Sequence, residues 1–277
     1  MIAAPPSGHS RMPSSPEPAP AATILMLRDG PEGLEVFMVV RHHQIDFASG
    51  ALVFPGGKVD PGDAVVRDHC DGADDLDERD LAMRVGAIRE AFEECGILLA
   101  RPRGDTTLVS GARLEALDAY RDKLHSGELS LADFLDQEQL TLALDTLTRF
   151  AHWITPEMMP KRFDTDFFVA AAPADHVALH DGHESVDSIW IRPDDALAGA
   201  VDGTYTVIFP TRLNIEMLAE SKDVADAVAA SVARRIVSVL PVTEKREDGN
   251  YIVIPADAGY RISEEKMAVP AGSGKGA

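Results

Sequence analysis

The stretch Arg89-Glu90-Ala91-Phe92-Glu93-Glu94-Cys95-Gly96-Ile97 holds three carboxylates within five residues. Residues three and four apart share one face of an α-helix, so Glu90 would lie beside both Glu93 and Glu94. Gly96 is suited to end such a helix in a left-handed turn. Apolar residues recur at helical spacing on another side, which predicts an amphipathic helix over about residues 80–95. These apolar residues are Leu81, Val85, Ile88, Phe92 and Cys95.

The acidic face of this helix predicts a cation site. Carboxylates this close repel one another unless a cation or bound protons neutralise them. Oxygen ligands of this kind suit Mg²⁺ or Mn²⁺, and we expect one of these ions as the cofactor. A solvated acidic helix face is the simpler alternative.

A glycine pair lies upstream, in Phe54-Pro55-Gly56-Gly57-Lys58-Val59-Asp60-Pro61-Gly62-Asp63, directly after the short apolar run 51–54. The apolar run predicts a buried strand. Because glycine carries no side chain, the pair lets backbone approach a ligand closely. A solvated helix face does not explain this second element.

Together, the glycine loop and the acidic helix resemble the Nudix box, G-x5-E-x7-R-E-U-x-E-E-x-G-U, in which U is a bulky apolar residue. Gly57 matches the opening glycine, and Asp63 stands where the family has glutamate. The family's seven-residue spacer has grown to 25 residues here, 64–88, which a surface loop tolerates at modest entropic cost. The second half of the box is matched by Arg89, Glu90, Glu93, Glu94, Gly96 and Ile97, with the small Ala91 at its first U.

Other segments resemble one branch of the family, the acyl-CoA diphosphatases, which also has a long spacer within the box. They are His152-Trp153-Ile154-Thr155-Pro156, Arg162-Phe163-Asp164-Thr165-Asp166-Phe167-Phe168 and Phe209-Pro210-Thr211. The resemblance covers about residues 22–256. It implies an α/β fold, the Nudix α/β/α sandwich with a mixed sheet, here with a helical insertion.

The resemblance also implies metal-assisted hydrolysis of a diphosphate. It makes Glu90, Glu93 and Glu94 metal ligands, with the carbonyl of Gly56 as a further candidate. Arg89 is expected to orient the carboxylates through charge-assisted hydrogen bonds rather than to touch the substrate.

The general base is left open by the sequence. Glu93 and Glu94 are candidates. So is Glu184, six residues before Trp190, because some relatives have a Glu at similar spacing in a loop that faces the metals. An exposed loop carboxylate is the equal alternative for Glu184.

Substrate-binding residues are predicted outside the acidic helix. Arg41 could bind the 3′-phosphate of CoA, since Arg suits phosphate bidentately, and a surface residue at a strand end is the simpler alternative. Lys58 could contact a phosphate or be a solvated loop lysine. Arg162 and Phe163 are expected to build the pocket wall, with Phe163 stacking on an adenine or pantetheine, although aromatic residues beside a strand more often belong to the core.

Three hypotheses follow about function. The leading one is an Mg²⁺- or Mn²⁺-dependent diphosphatase that splits the small-molecule substrate CoA or acyl-CoA. The second is the same chemistry on ADP-ribose, a dinucleotide or a nucleotide sugar. The third is a non-catalytic nucleotide-binding module, which Asp63 in place of Glu favours and the intact set of Glu90, Glu93 and Glu94 disfavours.

Composition indicates a globular protein, with 45% hydrophobic and 26% charged residues among 277. The net charge of −20 argues against nucleic acid and anionic membranes as partners. Since no apolar run is long enough for a membrane span and the start lacks a secretory signal, we expect a cytoplasmic protein. A disulfide between the two cysteines, Cys70 and Cys95, is not expected. Whether the chain forms a homodimer is left open.

The order of sequence patterns predicts three parts: a disordered Pro-, Ala- and Ser-rich arm over 1–21, a Nudix hydrolase domain over 22–256, and a tail over 257–277. Strand signals fall at 23–28, 34–41, 51–54, 167–172 and 186–191. Helical patterns at 112–125 and 131–150 predict a helical insertion over about 111–150. Further helices are expected at 194–200, 213–218 and 221–239.

Overall fold

The computed structural model describes residues 15–41, 51–176 and 185–267. Its strands are β1 (Ala19–Gly30), β2 (Gly33–Arg41), β3 (Leu52–Val53), β4 (Gly56–Lys58), β5 (Cys70–Asp71), β6 (Ala100–Pro102), β7 (Leu140–Ala143), β8 (Thr148–Ile154), β9 (Phe163–Ala171), β10 (Ser185–Ile191), β11 (Ser238–Val239), β12 (Val242–Arg246), β13 (Gly249–Val253) and β14 (Glu264–Lys266). Its α-helices are α1 (Glu78–Cys95), α2 (Gly111–Leu117), α3 (Arg121–His125), α4 (Leu131–Gln137), α5 (Pro193–Asp202), α6 (Phe209–Leu218) and α7 (Val224–Ala233). Short 3₁₀ helices cover Pro61–Ala64, Arg67–His69, Asp118–Tyr120 and Leu144–Thr146.

The central sheet is mixed and has eight strands. Six of them run in the order β10-β2-β1-β9-β8-β11, while β3 pairs with β2 and β4 pairs with β1. Strand β1 is parallel to β9 and antiparallel to β2 and β4. Because Gly56 of β4 lies opposite Thr23 of β1, the glycine pair is fixed against the middle of the sheet.

The two faces of this sheet build two hydrophobic cores. Along β1, Ile24 and Met26 face one core, whereas Leu25 and Leu27 face the other, as the alternation of side chains along a strand requires. Helices α1 to α4 contribute to the first core, and α5 to α7 contribute to the second. The architecture is therefore helix–sheet–helix in three layers.

Helix α1 is the predicted acidic helix, and its ends follow its sequence. The carboxylate of Asp77 accepts a hydrogen bond of 2.8 Å from the N–H of Asp80, which begins the helix. Gly96 has a φ of 68°, in the left-handed region that glycine adopts without strain, and it ends the helix. The apolar side of α1 lies in the first core, so its carboxylates project elsewhere.

The prediction of one helix over 131–150 is wrong. Helix α4 ends at Gln137, Gln139 adopts a φ of 52°, and strands β7 and β8 follow. Leucines alternate with other residues in Leu140-Thr141-Leu142-Ala143, and threonine is β-branched, so this segment favours a strand that pairs with β5 and β6. The insertion over 111–150 is thus helical only in its first part.

Other predicted boundaries also differ from the structure. The helix predicted over 221–239 covers only Val224–Ala233, and β11 follows it. Strand β1 begins at Ala19, inside the predicted arm, because it pairs with β9 from that residue onward. Strand β14 lies within the predicted tail and pairs with β13. The remaining limits of the three predicted parts stay predictions. None of the helices in the described ranges combines the length and the apolar character needed to cross a bilayer.

Candidate active site

Asp63 and Arg89 form a buried ion pair between the glycine loop and α1. Arg89 Nε donates to Asp63 Oδ1 over 2.9 Å, and Arg89 Nη2 donates to Asp63 Oδ2 over 3.0 Å. Asp63 is 1% exposed and Arg89 is 7% exposed. The pair joins residues that the long spacer separates in sequence. It therefore fixes the loop onto the helix, as charge-assisted bidentate pairs do.

Arg89 also contacts two of the carboxylates on its own helix. Its Nη1 donates to Glu90 Oε1 over 2.9 Å and lies 3.4 Å from Glu93 Oε1. Its Nη2 donates to the carbonyl of Lys58 over 2.8 Å. These contacts place Arg89 between the glycine loop and two carboxylates; its predicted role, orientation of the carboxylates, stays a prediction.

The glycine pair brings backbone against the carboxylates. A Cβ at Gly57 would lie 2.6 Å from Glu90 Oε1, and a Cβ at Gly56 would lie 2.4 Å from the carbonyl oxygen of Ala22. Gly56 has a φ of 153°. Its N–H donates to Glu94 Oε2 over 2.9 Å. Any side chain at either glycine would therefore push the loop away from β1 or from Glu90.

Burial and neighbouring charges act in opposite directions on the pKa values of this site. Asp63, Glu90 and Glu93 share the one guanidinium of Arg89. Burial raises the pKa of Glu93 above its usual value, although Arg89 opposes the shift. Burial disfavours the Arg89 cation, but the hydrogen bonds and charge of Asp63, followed by the charges of Glu90 and Glu93, outweigh burial and raise its pKa. Arg89 is therefore a permanent cation at this site.

The donor atoms fit a hard divalent cation in type. The side chains of Glu90, Glu93 and Glu94 offer only oxygen; Glu90 and Glu94 lie against the corner that Gly56 and Gly57 form, and Glu93 lies beside Arg89. In residues 15–41, 51–176 and 185–267, no three His, Cys, Asp or Glu side chains already stand in a metal-ligand arrangement. Glu90 and Glu93 each direct an oxygen toward Arg89, so rotation of these side chains would precede coordination.

The predicted substrate-binding residues Lys58, Arg162 and Phe163 differ in exposure and in the groups they contact. The side chain of Lys58 is exposed beside the site. Arg162 is only 8% exposed and donates to the carbonyls of Thr155 and Pro16, over 3.1 and 2.9 Å. These contacts give Arg162 a structural role in holding the start of β1. Phe163 is half-buried on β9, where Lys161 Nζ lies 5.7 Å from its ring centroid.

Two predicted site residues have side chains outside the described part of the chain. Glu184, the candidate base, lies outside the described residues. Arg41 ends β2, and its side chain lies outside them as well. Their roles stay predictions.

The sequence alone missed two residues of α3 that reach Glu93. Arg121 Nε donates to the carbonyl of Glu93 over 3.1 Å, and His125 Nδ1 lies 3.6 Å from Glu93 Oε2. Their spacing of four residues places both on one face of a helix. That signal was present in the sequence, but nothing in it pointed to α1 as the partner.

Comparison with known proteins assigns the family. A family model described as the NUDT19 Nudix domain matches residues 66–218, more than half of the chain. The chain belongs to the Nudix hydrolase family. The predicted family, the α/β fold class and the enzyme class, a Nudix-type diphosphatase, are confirmed. Nudix hydrolases generally use divalent metals and act on small-molecule diphosphates.

Individual relatives of this Nudix hydrolase are distant in sequence. A crystal structure of a Nudix hydrolase from Alicyclobacillus acidocaldarius is 28% identical, covers 77% of this chain and 96% of its own, and has a TM-score of 0.62. The human acyl-coenzyme A diphosphatase NUDT19 is 26% identical over 293 residues, which cover 90% of this chain and 75% of that protein. The putative nudix hydrolase 7 of Caenorhabditis elegans is 26% identical over 188 residues, or 68% of this chain. This chain spans 57% of the length of the C. elegans protein.

Proposed function

We propose that this Nudix hydrolase cleaves the diphosphate linkage of CoA or acyl-CoA in the presence of Mg²⁺ or Mn²⁺. The observation that carries the proposal is the carboxylate group of α1, in which Glu90 and Glu94 lie against the glycine corner and Glu90 and Glu93 share Arg89, with carboxylates in excess over that guanidinium. Buried carboxylates in excess are costly unless a cation joins them. The substrate rests on the name of the human relative, an acyl-coenzyme A diphosphatase, and on the sequence segments similar to that branch.

Glu90, Glu93 and Glu94 would hold the divalent cation, with the Gly56 carbonyl as a further ligand. When bound, the cation would lower the pKa of a coordinated water and offset charge on the phosphates. Arg89 keeps the carboxylates on one side of the helix, and Asp63 keeps Arg89 in place. The glycine pair lets the loop backbone lie directly against β1 and Glu90, where a Cβ would clash.

The proposed reaction is a hydrolysis in which water supplies the nucleophile. Its oxygen attacks one phosphorus, the bond from that phosphorus to the bridging oxygen breaks, and the bridging oxygen leaves with the second phosphate. The products are an adenosine bisphosphate and phosphopantetheine or its acyl form. The proton of the water passes to a carboxylate, for which Glu93, Glu94 and Glu184 are the candidates.

A substrate comparison tests the proposal. The purified protein is incubated separately with CoA, an acyl-CoA, ADP-ribose and NADH, with excess Mg²⁺ or Mn²⁺ and with EDTA. Products are identified by mass spectrometry. We expect CoA or acyl-CoA to be cleaved fastest, only with metal, into the two phosphorylated products named above.

Two results would contradict the proposal in different ways. A faster cleavage of ADP-ribose or NADH would overturn the substrate and keep the chemistry. Tight CoA binding without turnover at saturating metal would identify a non-catalytic nucleotide-binding module. Glu93→Gln tests the role of Glu93 as a proposed metal ligand, and Glu78→Gln is its matched control, because Glu78 is an exposed glutamate at the other end of the same helix.

A further inference from the structure

The insertion packs against the C-terminal half of α1. The ring of Phe92 on α1 stacks on Phe134 of α4, with centroids 5.6 Å apart and an interplanar angle of 15°. The ring of Tyr120 packs against the ring of Phe134, with centroids 5.1 Å apart. Phe92 and Phe134 are at most 1% exposed, so these rings fix the insertion to the helix that carries the site.

The end of α1 leaves carbonyl groups that need donors. Backbone N–H groups of Gly96 and Ile97 turn back to the carbonyls of Phe92 and Ala91, at 2.9 and 3.3 Å. The carbonyl of Glu93 belongs to the last turn, where helical partners run out. Arg121 Nε donates to it over 3.1 Å.

Arg121 is seated at this helix end. Its side chain is 13% exposed, and Nη1 donates to Asp118 over 3.0 Å. A Cβ at Gly96 would lie 3.3 Å from the same nitrogen, so the glycine leaves space for the guanidinium. A cation at a helix C-terminus is also favoured by the helix dipole.

The same face of α3 reaches the side chain of Glu93. His125 Nδ1 lies 3.6 Å from Glu93 Oε2, and Arg89 Nη1 lies 3.4 Å from Glu93 Oε1. Glu93 is therefore held at its carbonyl by Arg121 and flanked at both carboxylate oxygens. A shift of the last turn of α1 would move this carboxylate.

We propose that Arg121 is a positioning residue, through which the insertion sets the place of the Glu93 carboxylate beside Arg89. Arg121 acts through Glu93 and does not touch the substrate. The inference rests on the proposed function, because it assumes that Glu93 is a ligand of the divalent cation.

The test compares Arg121→Ala with Arg113→Ala. Arg113 also lies in the insertion, but it pairs with Glu138 and is 43% exposed. The dissociation constant of Mn²⁺ is measured without substrate, from free Mn²⁺ in electron paramagnetic resonance spectra. For Arg121→Ala we expect this constant to rise about 10- to 100-fold, the usual effect of losing a group that orients a metal ligand. With CoA or acyl-CoA, kcat should fall while KM stays nearly constant.

Arg121→Lys completes the test. Lysine retains the charge and can donate to the Glu93 carbonyl, so Arg121→Lys should restore Mn²⁺ affinity and kcat in part. If Arg121→Ala does not fold, Arg121→Lys alone is compared with Arg113→Ala. The proposal is overturned if the Arg121 variants that fold match Arg113→Ala in both the Mn²⁺ dissociation constant and kcat. A wild-type protein with neither Mn²⁺ binding nor turnover would instead overturn the proposed function itself.

Discussion

In the described part of the chain, two clusters of buried and partly buried acid groups differ in their basic partners. In the first, which we call the Arg89 cluster, Asp63, Glu90 and Glu93 share the Arg89 guanidinium, and the imidazole of His125 lies 3.6 Å from Glu93. The second, the Asp166 cluster, contains two carboxylates, two guanidinium groups and one imidazole. Its members are Asp164, Asp166, Arg79, Arg149 and His152.

Each carboxylate of the Asp166 cluster has more than one basic partner. Asp166 accepts from Arg79 over 2.8 Å and from Arg149 over 2.7 Å. Asp164 accepts from Arg79 over 3.1 Å and from His152. Burial opposes ionisation of Asp164, but the hydrogen bonds from His152 and Arg79 outweigh it and lower its pKa. Acid groups matched in this way need no further ion, so we interpret this cluster as structural and the Arg89 cluster as the site.

Loss of charge at Glu93 should have the largest effect. Glu93→Gln keeps the size of the side chain but removes one proposed metal ligand. We expect turnover of CoA or acyl-CoA to fall at least about 100-fold, as when a group that stabilises transition-state charge is lost. Steady-state kinetics at saturating metal check this, with Glu78→Gln expected to retain wild-type rates. Wild-type turnover in Glu93→Gln, with normal metal dependence, would remove Glu93 from the mechanism.

Removal of Asp63 should have the largest effect on stability. Asp63→Ala leaves the buried Arg89 without its bidentate partner, and breaking a buried ion pair costs about 3–5 kcal/mol. Urea unfolding should therefore show a strongly lowered midpoint, whereas the exposed Asp75→Ala should unfold like wild type. An unchanged midpoint for Asp63→Ala would show that Arg89 does not depend on this pair.

Metal binding should stabilise the wild-type fold. Mn²⁺ at 100 times its dissociation constant should add about 2.7 kcal/mol to the free energy of unfolding, which raises Tm by roughly 5–10 °C. Differential scanning fluorimetry checks this. Glu93→Gln should show less than half of the shift at the same Mn²⁺ concentration. Equal shifts in both proteins would place the bound ion elsewhere.

Disruption of the Asp166 cluster should affect stability and leave metal binding unchanged. Asp166→Asn weakens hydrogen bonds to Arg79 and Arg149, whose side chains are 41% and 34% exposed and so remain solvated. We expect a loss of about 1.5–3 kcal/mol, the scale of a hydrogen bond to a charged group. The Mn²⁺ dissociation constant should match wild type. A raised constant would contradict the separation of the two clusters.

The smallest effect is expected at Cys70, which belongs to neither cluster and whose thiol reactivity depends mainly on burial. Burial raises the pKa of its thiol to about 12, against about 8.5 for an exposed thiol. Since the thiolate is the reactive form, the folded protein should react with a disulfide reagent at pH 8.5 at least about 100-fold more slowly than the urea-unfolded chain. Rapid labelling of the folded protein at that pH would show that burial is weaker than the structure indicates.

Short-range features of the fold and site could be predicted from the sequence. The helix with Glu90, Glu93 and Glu94 on one face follows from residue spacing, and Gly96 ends it as expected. The strand pattern around 131–150 was misjudged, because pairing of β7 with β5 and β6 outweighs local helix preference. The burial of Arg162 could not be predicted in the same way, since one carbonyl that it contacts, that of Pro16, lies far away in sequence.

The sequence by itself determined which chemical groups this protein carries and which of them share a helix face, because those relations depend on fixed local geometry. Only the tertiary structure decided that Asp63 pairs with Arg89, that the insertion reaches Glu93, and that two guanidinium groups contact the Asp166 cluster while the three carboxylates of the Arg89 cluster share one. These relations depend on how distant segments pack, and packing distances are set by the whole core rather than by neighbours along the chain.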